Sequence, residues 1–164
     1  MREILFRGKR KDSDEWKEGS YVYQHGCHMI YLPDGVDGEY GFDYYHVNPE
    51  TVGQFTGLTD KNGKKIFEGD ILLAKVYETK TENVPVWGKN KVRTGNKIDV
   101  VWTVEYKNFM TSCGYFIYGK DRRFHRLLTN SVIFNNDCEV IGNIHDSPEL
   151  LEKERGNDAN HTTE

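Results

Sequence analysis

Cysteine is scarce in this chain of 164 residues: Cys27, Cys113 and Cys138 are odd in number, far apart, and form no C-x-x-C pair. Their spacing excludes a disulfide framework and a zinc ribbon, and three reduced thiols in a cytoplasmic protein are expected. Long apolar runs are missing as well. No stretch reaches the ~20 residues of a membrane-spanning helix, so no membrane partner is expected. The first ten residues, MREILFRGKR, carry charge on both sides of a short apolar run, unlike a secretory signal. Charge of one sign is not in large excess. A net charge of −4 leaves no overall electrostatic footprint for nucleic acid, and only local basic patches could supply one. No internal repeat, heptad run or linker divides the chain. A single domain over residues 1–154 is expected, with a disordered tail over 155–164.

Aromatics and glycines are plentiful. Ten tyrosines and eight phenylalanines contribute to an aromatic share of 13%, and residues of this kind suit pleated, half-buried surfaces. Sixteen glycines imply many turns. The segment EILFRGKR reads as a first strand with Leu5 and Arg7 sharing one side, followed by a second strand from Trp16 to Gln24. Gly26 punctuates a hairpin into CHMIYL, and a short strand is expected around Tyr44 to Val47. DILLAKVY reads as a buried strand, and Glu78 to Gly95, polar with a proline and two glycines, as a mobile loop. KIDVVWTVEY and GYFIYGK form the next strand pair. Asp121 to Thr129 has the spacing of a short helix, and CEVIGNIHD is the last strand. Ser147 is placed as an N-cap with Pro148 at the first position of a helix in PELLEKER. The expected fold is mainly β: antiparallel strands in a small, partly open barrel or sandwich, with a short C-terminal helix.

The stretch TVGQFTGLTDKNGKKIFEGDIL, residues 51–72, is too regular to be filler. A phosphate-binding loop needs Gly-Lys-Ser/Thr opening a helix, whereas Gly63-Lys64-Lys65 runs into β-type sequence. A calcium loop needs a longer Asp/Asn ladder, and Gly63 arrives too early. Asn62-Gly63 instead predicts a two-residue type I′ hairpin, with Asp60 facing Lys65 and Leu58 facing Phe67. The stretch is read as architecture.

RGKR, then YGFDYYHVNPETVGQFTGLTDKNGKKIFEGDIL, then EVIGNIHDSPELL closely resemble the YopX family of phage and prophage proteins. The resemblance covers most of residues 1–152, with Glu78 to Asn136 as its variable part. It implies a small, mainly β protein from a phage genome and brings no known activity or catalytic residues.

Candidate chemistry is sparse. His25, Cys27 and His28 in HGCH cannot readily converge on a metal, because an extended strand sends His28 to the face opposite the other two. Asp34, Asp37, Glu39 and Asp43 could hold a hard cation but read better as solvated turns. No catalytic residue, metal or cofactor is expected, and the protein is read as acting by binding rather than as an enzyme. Two basic runs stand out, Arg7 to Lys11 and KDRRFHR. Within the second, Arg122, Arg123, Phe124 and Arg126 are the candidate binding residues for nucleic acid or a nucleotide, which is the alternative function. The leading expectation is a phage accessory protein that forms a homo-oligomer and binds a host or phage protein.

Overall fold

The computed structural model describes residues 3–32, 43–84, 88–109, 113–119, 122 and 125–152, with 80–84 and 88–93 as backbone only. Its strands form two antiparallel sheets, and neither sheet closes on itself. The first contains β1 (Phe6–Lys9), β2 (Trp16–Gln24), β3 (Cys27–Tyr31), β4 (Tyr44–His46), β5 (Gly53–Thr59) and β6 (Lys65–Phe67), in the order β4-β3-β2-β1-β5-β6. The second contains β7 (Asp70–Val84), β8 (Gly88–Asn108), β9 (Cys113–Tyr118), β10 (His125–Leu127) and β11 (Glu139–Asn143), in the order β10-β9-β8-β7-β11. The chain passes from one sheet to the other at Gly69, whose φ of +82° is a left-handed conformation that glycine adopts without penalty.

Alternation builds the main core. Leu72 and Ala74 on β7, Trp102 and Val104 on β8, and Tyr115 and Ile117 on β9 point to one face and are buried together. Covering them are Ile66 of β6, Val140 of β11, and Val132 and Ile133 of the short helix α1 (Asn130–Asn135). A smaller cluster of Leu5, Phe55 and Phe67 fills the first sheet. The mainly β, open sandwich expected from the composition is the fold observed.

Four local expectations are corrected. Residues 78–84 and 88–95 are strand rather than loop: β7 runs to Val84 and β8 starts at Gly88, and the two form a long ribbon. Its β-branched and charged alternation was hidden by the interrupting Pro and Gly. Residues 125–127 are strand β10 rather than helix, paired with β9 through His125–Tyr118 and Leu127–Phe116. The helix instead begins one step later, where the Thr129 side chain accepts a hydrogen bond from Val132 N. The expected cap at Ser147 makes no side-chain hydrogen bond, and Pro148–Leu151 is a 3₁₀ turn.

The fourth correction concerns the 51–72 stretch. β5 and β6 do form a hairpin, but through a three-residue loop. Asp60 N donates to the Lys64 carbonyl, Gly63 N donates to the Asp60 carbonyl, and only Gly63 has positive φ (81°). The strand register is accordingly Thr59–Lys65 and Phe55–Phe67. Asp at the first position and Gly at the fourth are the signature of a type I turn followed by a left-handed residue, and here that signal outweighs Asn-Gly. The type I′ geometry appears elsewhere, between β2 and β3, where His25 and Gly26 both have positive φ and Gln24 faces Cys27.

Candidate functional site

The segments that carry the family resemblance meet at one polar junction between the sheets. Arg7 on β1 reaches across to Asp70, the first residue of β7, which is 1% exposed. The guanidinium lies 2.6 Å from Asp70 Oδ1 and is stacked between Trp16 and Phe67, 4.8 and 4.9 Å from their ring centres. This contact is ionic rather than well aligned, since Arg7 Nε and Asp70 Oδ1 make no hydrogen bond. Asp70 Oδ2 accepts from Phe67 N at 2.7 Å. Burial pushes the Asp70 carboxyl above its ordinary range, and the opposing pull of Arg7 and Phe67 N does not cancel it.

Beside this pair, Asp146 gathers three donors. Trp16 Nε1 donates to Oδ2 at 2.6 Å, Asn143 Nδ2 donates to the same oxygen at 2.9 Å, and Lys9 Nζ lies 2.8 Å from Oδ1. Partial burial disfavours its charge, but the bonds from Lys9, Asn143 and Trp16 outweigh that and bring its pKa down to about 2. Asp60 does the same work at the hairpin: Oδ1 accepts from Asn62 N and Lys64 N, and Oδ2 from Val140 N on β11. Burial again opposes the charge, and the three backbone donors hold the carboxyl below its usual range. The motif carboxylates are fasteners that join distant strands.

Two clefts open beside the junction and share Thr103. One, of about 180 Å³, is lined by Glu50, Glu68, Glu105 and His145 among others. Burial and the nearby Arg7 charge lower the His145 pKa. Glu68 Oε1 already accepts from Tyr106 N. The other cleft, of about 280 Å³, lies between Tyr118, Arg122, Pro148 and Leu151. Among the described residues no group of three His, Cys, Asp or Glu side chains converges as a metal site. Asp34, Asp37 and Glu39 lie outside the described residues.

Of the candidate binding residues, Arg123 and Phe124 also lie outside the described residues. Arg122 sits in the larger cleft, 5.0 Å over the Tyr118 ring, and donates to Glu105 Oε2 at 2.7 Å. Arg126 is exposed on β10 opposite Ile117, a core residue on the other face of the sheet from Tyr118. Arg122 lies in a bend and Arg126 on a strand, so the helix that would have set the two arginines one turn apart is not formed by the described residues. The first basic run is also engaged. Arg7 pairs with Asp70, Lys9 with Asp146, and Arg10 with Asp12 and Glu15. Asp70 and Asp146 lie 63 and 137 residues from their partners, so no local pattern could pair them, whereas Asp12 and Glu15 are sequence neighbours of Arg10.

Sequence reading missed a further feature on the outer face of the second sheet. Phe109 and His125 stack at 5.8 Å, His125 stacks on Tyr118 at 5.9 Å, and Phe109 meets Phe116 edge-on at 5.1 Å. Leu127 on β10, the end strand of this sheet among the described residues, is 44% exposed, and Phe109, which follows β8 and stacks on His125, is 41% exposed.

The fold of two open sheets has likenesses among known proteins. The chain belongs to the YopX protein family, whose pattern matches residues 5–152. Among solved structures it is similar to protein EF1440 from Enterococcus faecalis, at 23% identity and a TM-score of 0.51, over 92% of this chain and 99% of that one. That likeness supports the fold alone. No curated protein matches the chain significantly.

Proposed function

We propose that this chain is a phage or prophage accessory protein that works by binding rather than by catalysis, and that it assembles as a homo-oligomer. The observation that carries the reading is the exposed strip of Phe109, His125 and Leu127 beside β10, an end strand of its sheet among the described residues. Exposed apolar side chains on a strand that pairs on one side only among the described residues fit a self-complementary contact in which two β10 edges meet. Some charged groups in and beside the clefts pair with one another: Glu105 with Arg122 and Lys107, and Asp146 with Lys9. The test is light scattering on the wild type and on a Phe109→Asp, Leu127→Asp variant at micromolar concentrations. A wild-type oligomer that the variant dissolves supports the reading. A wild type that scatters as a monomer throughout rejects the assembly.

A further inference from the structure

The β7–β8 ribbon is longer than the sheet requires. Pairing of β7 with β11 ends at Leu73, with one more bond from Lys75 N to the Asn136 carbonyl, and pairing of β8 with β9 begins only at Thr103. Among the described residues, 76–84 and 88–98 pair with each other and with no third strand. At ~3.3 Å per residue, this two-stranded extension is roughly 27 Å long. A bulge interrupts it between Tyr77 and Thr79, where Thr94 Oγ1 donates to the Glu78 carbonyl and Gly95 takes φ +87°. Bulges of this kind increase the twist of a ribbon.

Its charge differs from that of the rest of the chain. Residues 75–99 hold six basic side chains (Lys75, Lys80, Lys89, Lys91, Arg93 and Lys97) and three acidic ones (Glu78, Glu82 and Asp99). The ribbon is thus +3, and because the whole chain is −4, everything else is −7. Lys89, Lys91 and Arg93 occupy alternate positions along β8, at the end of the ribbon far from the two sheets.

We propose that the β7–β8 ribbon is an arm that binds duplex nucleic acid. This rests on reading the chain as a binding protein, and it names the partner's chemistry. A two-stranded ribbon fits the major groove, which is about 12 Å wide, and its lysines would neutralise phosphates on either side. Charge segregation of this kind lets an acidic protein approach a polyanion arm first, with its negative sheets held away. The nucleic-acid contact thereby moves away from Arg122, whose charge Glu105 already answers.

The experiment is fluorescence anisotropy with a labelled DNA duplex of about 20 base pairs, longer than the roughly 8 that a 27 Å arm covers at ~3.4 Å each. Wild type is compared with a Lys89→Glu, Lys91→Glu, Arg93→Glu variant and with Arg122→Ala. For three to five phosphate contacts, affinity falls by roughly 40- to 500-fold between about 50 and 200 mM salt. The triple variant should lose more than tenfold at low salt with melting temperature and native mass unchanged, and Arg122→Ala should bind as wild type does. No wild-type binding at low salt overturns the inference while leaving the assembly reading, which light scattering judges separately. Equal binding by the triple variant also overturns it. A triple variant that falls to a smaller native mass would place the ribbon on the acidic surface of a second copy instead, and would equally overturn it.

Discussion

Replacing Arg7 with Met removes one partner of the buried pair at the sheet junction and leaves the other in place. At 2.6 Å and an effective dielectric near 20, the Arg7–Asp70 attraction is on the order of 6 kcal/mol. Desolvating two ions costs several kcal/mol each, so the intact pair is close to neutral for stability. The variant is not neutral, because Asp70, 1% exposed, keeps its desolvation penalty and loses its cation. Breaking such a pair costs about 3–5 kcal/mol, and the lost stacking of Arg7 on Trp16 and Phe67 adds to that. For a domain of this size the melting temperature should fall by roughly 6–20 °C. The sign of the pH dependence follows from the direction of the Asp70 shift. A carboxyl with a folded pKa above its unfolded value binds more protons when folded, so its contribution to stability falls as pH rises between the two. Without Arg7 that folded value moves further up, and the Met variant should therefore be less impaired at pH 5 than at pH 7. Adding Asp70→Asn should recover much of the loss at neutral pH. Calorimetric melts of wild type, both single variants and the double variant at the two pH values supply the cycle. A single Met variant that melts within 2 °C of wild type at pH 7, about 1 kcal/mol or less, would refute the reasoning.

Gly63→Val should destabilise by more than ~1 kcal/mol in thermal melts, because a β-branched residue resists the φ of 81° even though open space surrounds the added carbon. Asp60→Ala should cost about 2–4 kcal/mol in urea unfolding, since it strips the acceptor from three backbone donors, including buried Val140 N. The depressed pKa of Asp146 predicts stability that is present above about pH 4 and lost as pH falls toward 2; its side chain is 35% exposed, and solvent screening reduces the effect to about 1 kcal/mol, absent in Asp146→Asn.

Strand positions were legible wherever one face is buried and the other is not. Trp16 to Gln24, the β3 run and the β8–β9 pair follow from alternation alone, as does the shared side of Leu5 and Arg7. The ribbon was not legible, because Pro85 and glycines at 88 and 95 interrupt the pattern. The segment around His125 misled for a different reason: Leu127 and Leu128 are adjacent, a spacing that fits a helix face and equally a strand with one side chain outward and one in the core. Site prediction failed on long-range pairing. Arg7 and Lys9 read as part of an open basic run because their answering carboxylates, Asp70 and Asp146, are supplied by a strand and a turn that only the fold brings near.

The proposed role is binding, by an assembly built on the β10 edge. A native mass spectrum of the protein purified from bacteria tests it most directly, since that spectrum reports copy number and any retained partner together. The account predicts an integer multiple, two or more, of the 19.1 kDa chain at micromolar concentration, collapsing to one copy in the Phe109→Asp, Leu127→Asp variant. A wild-type spectrum showing the single 19.1 kDa chain and nothing heavier would contradict it.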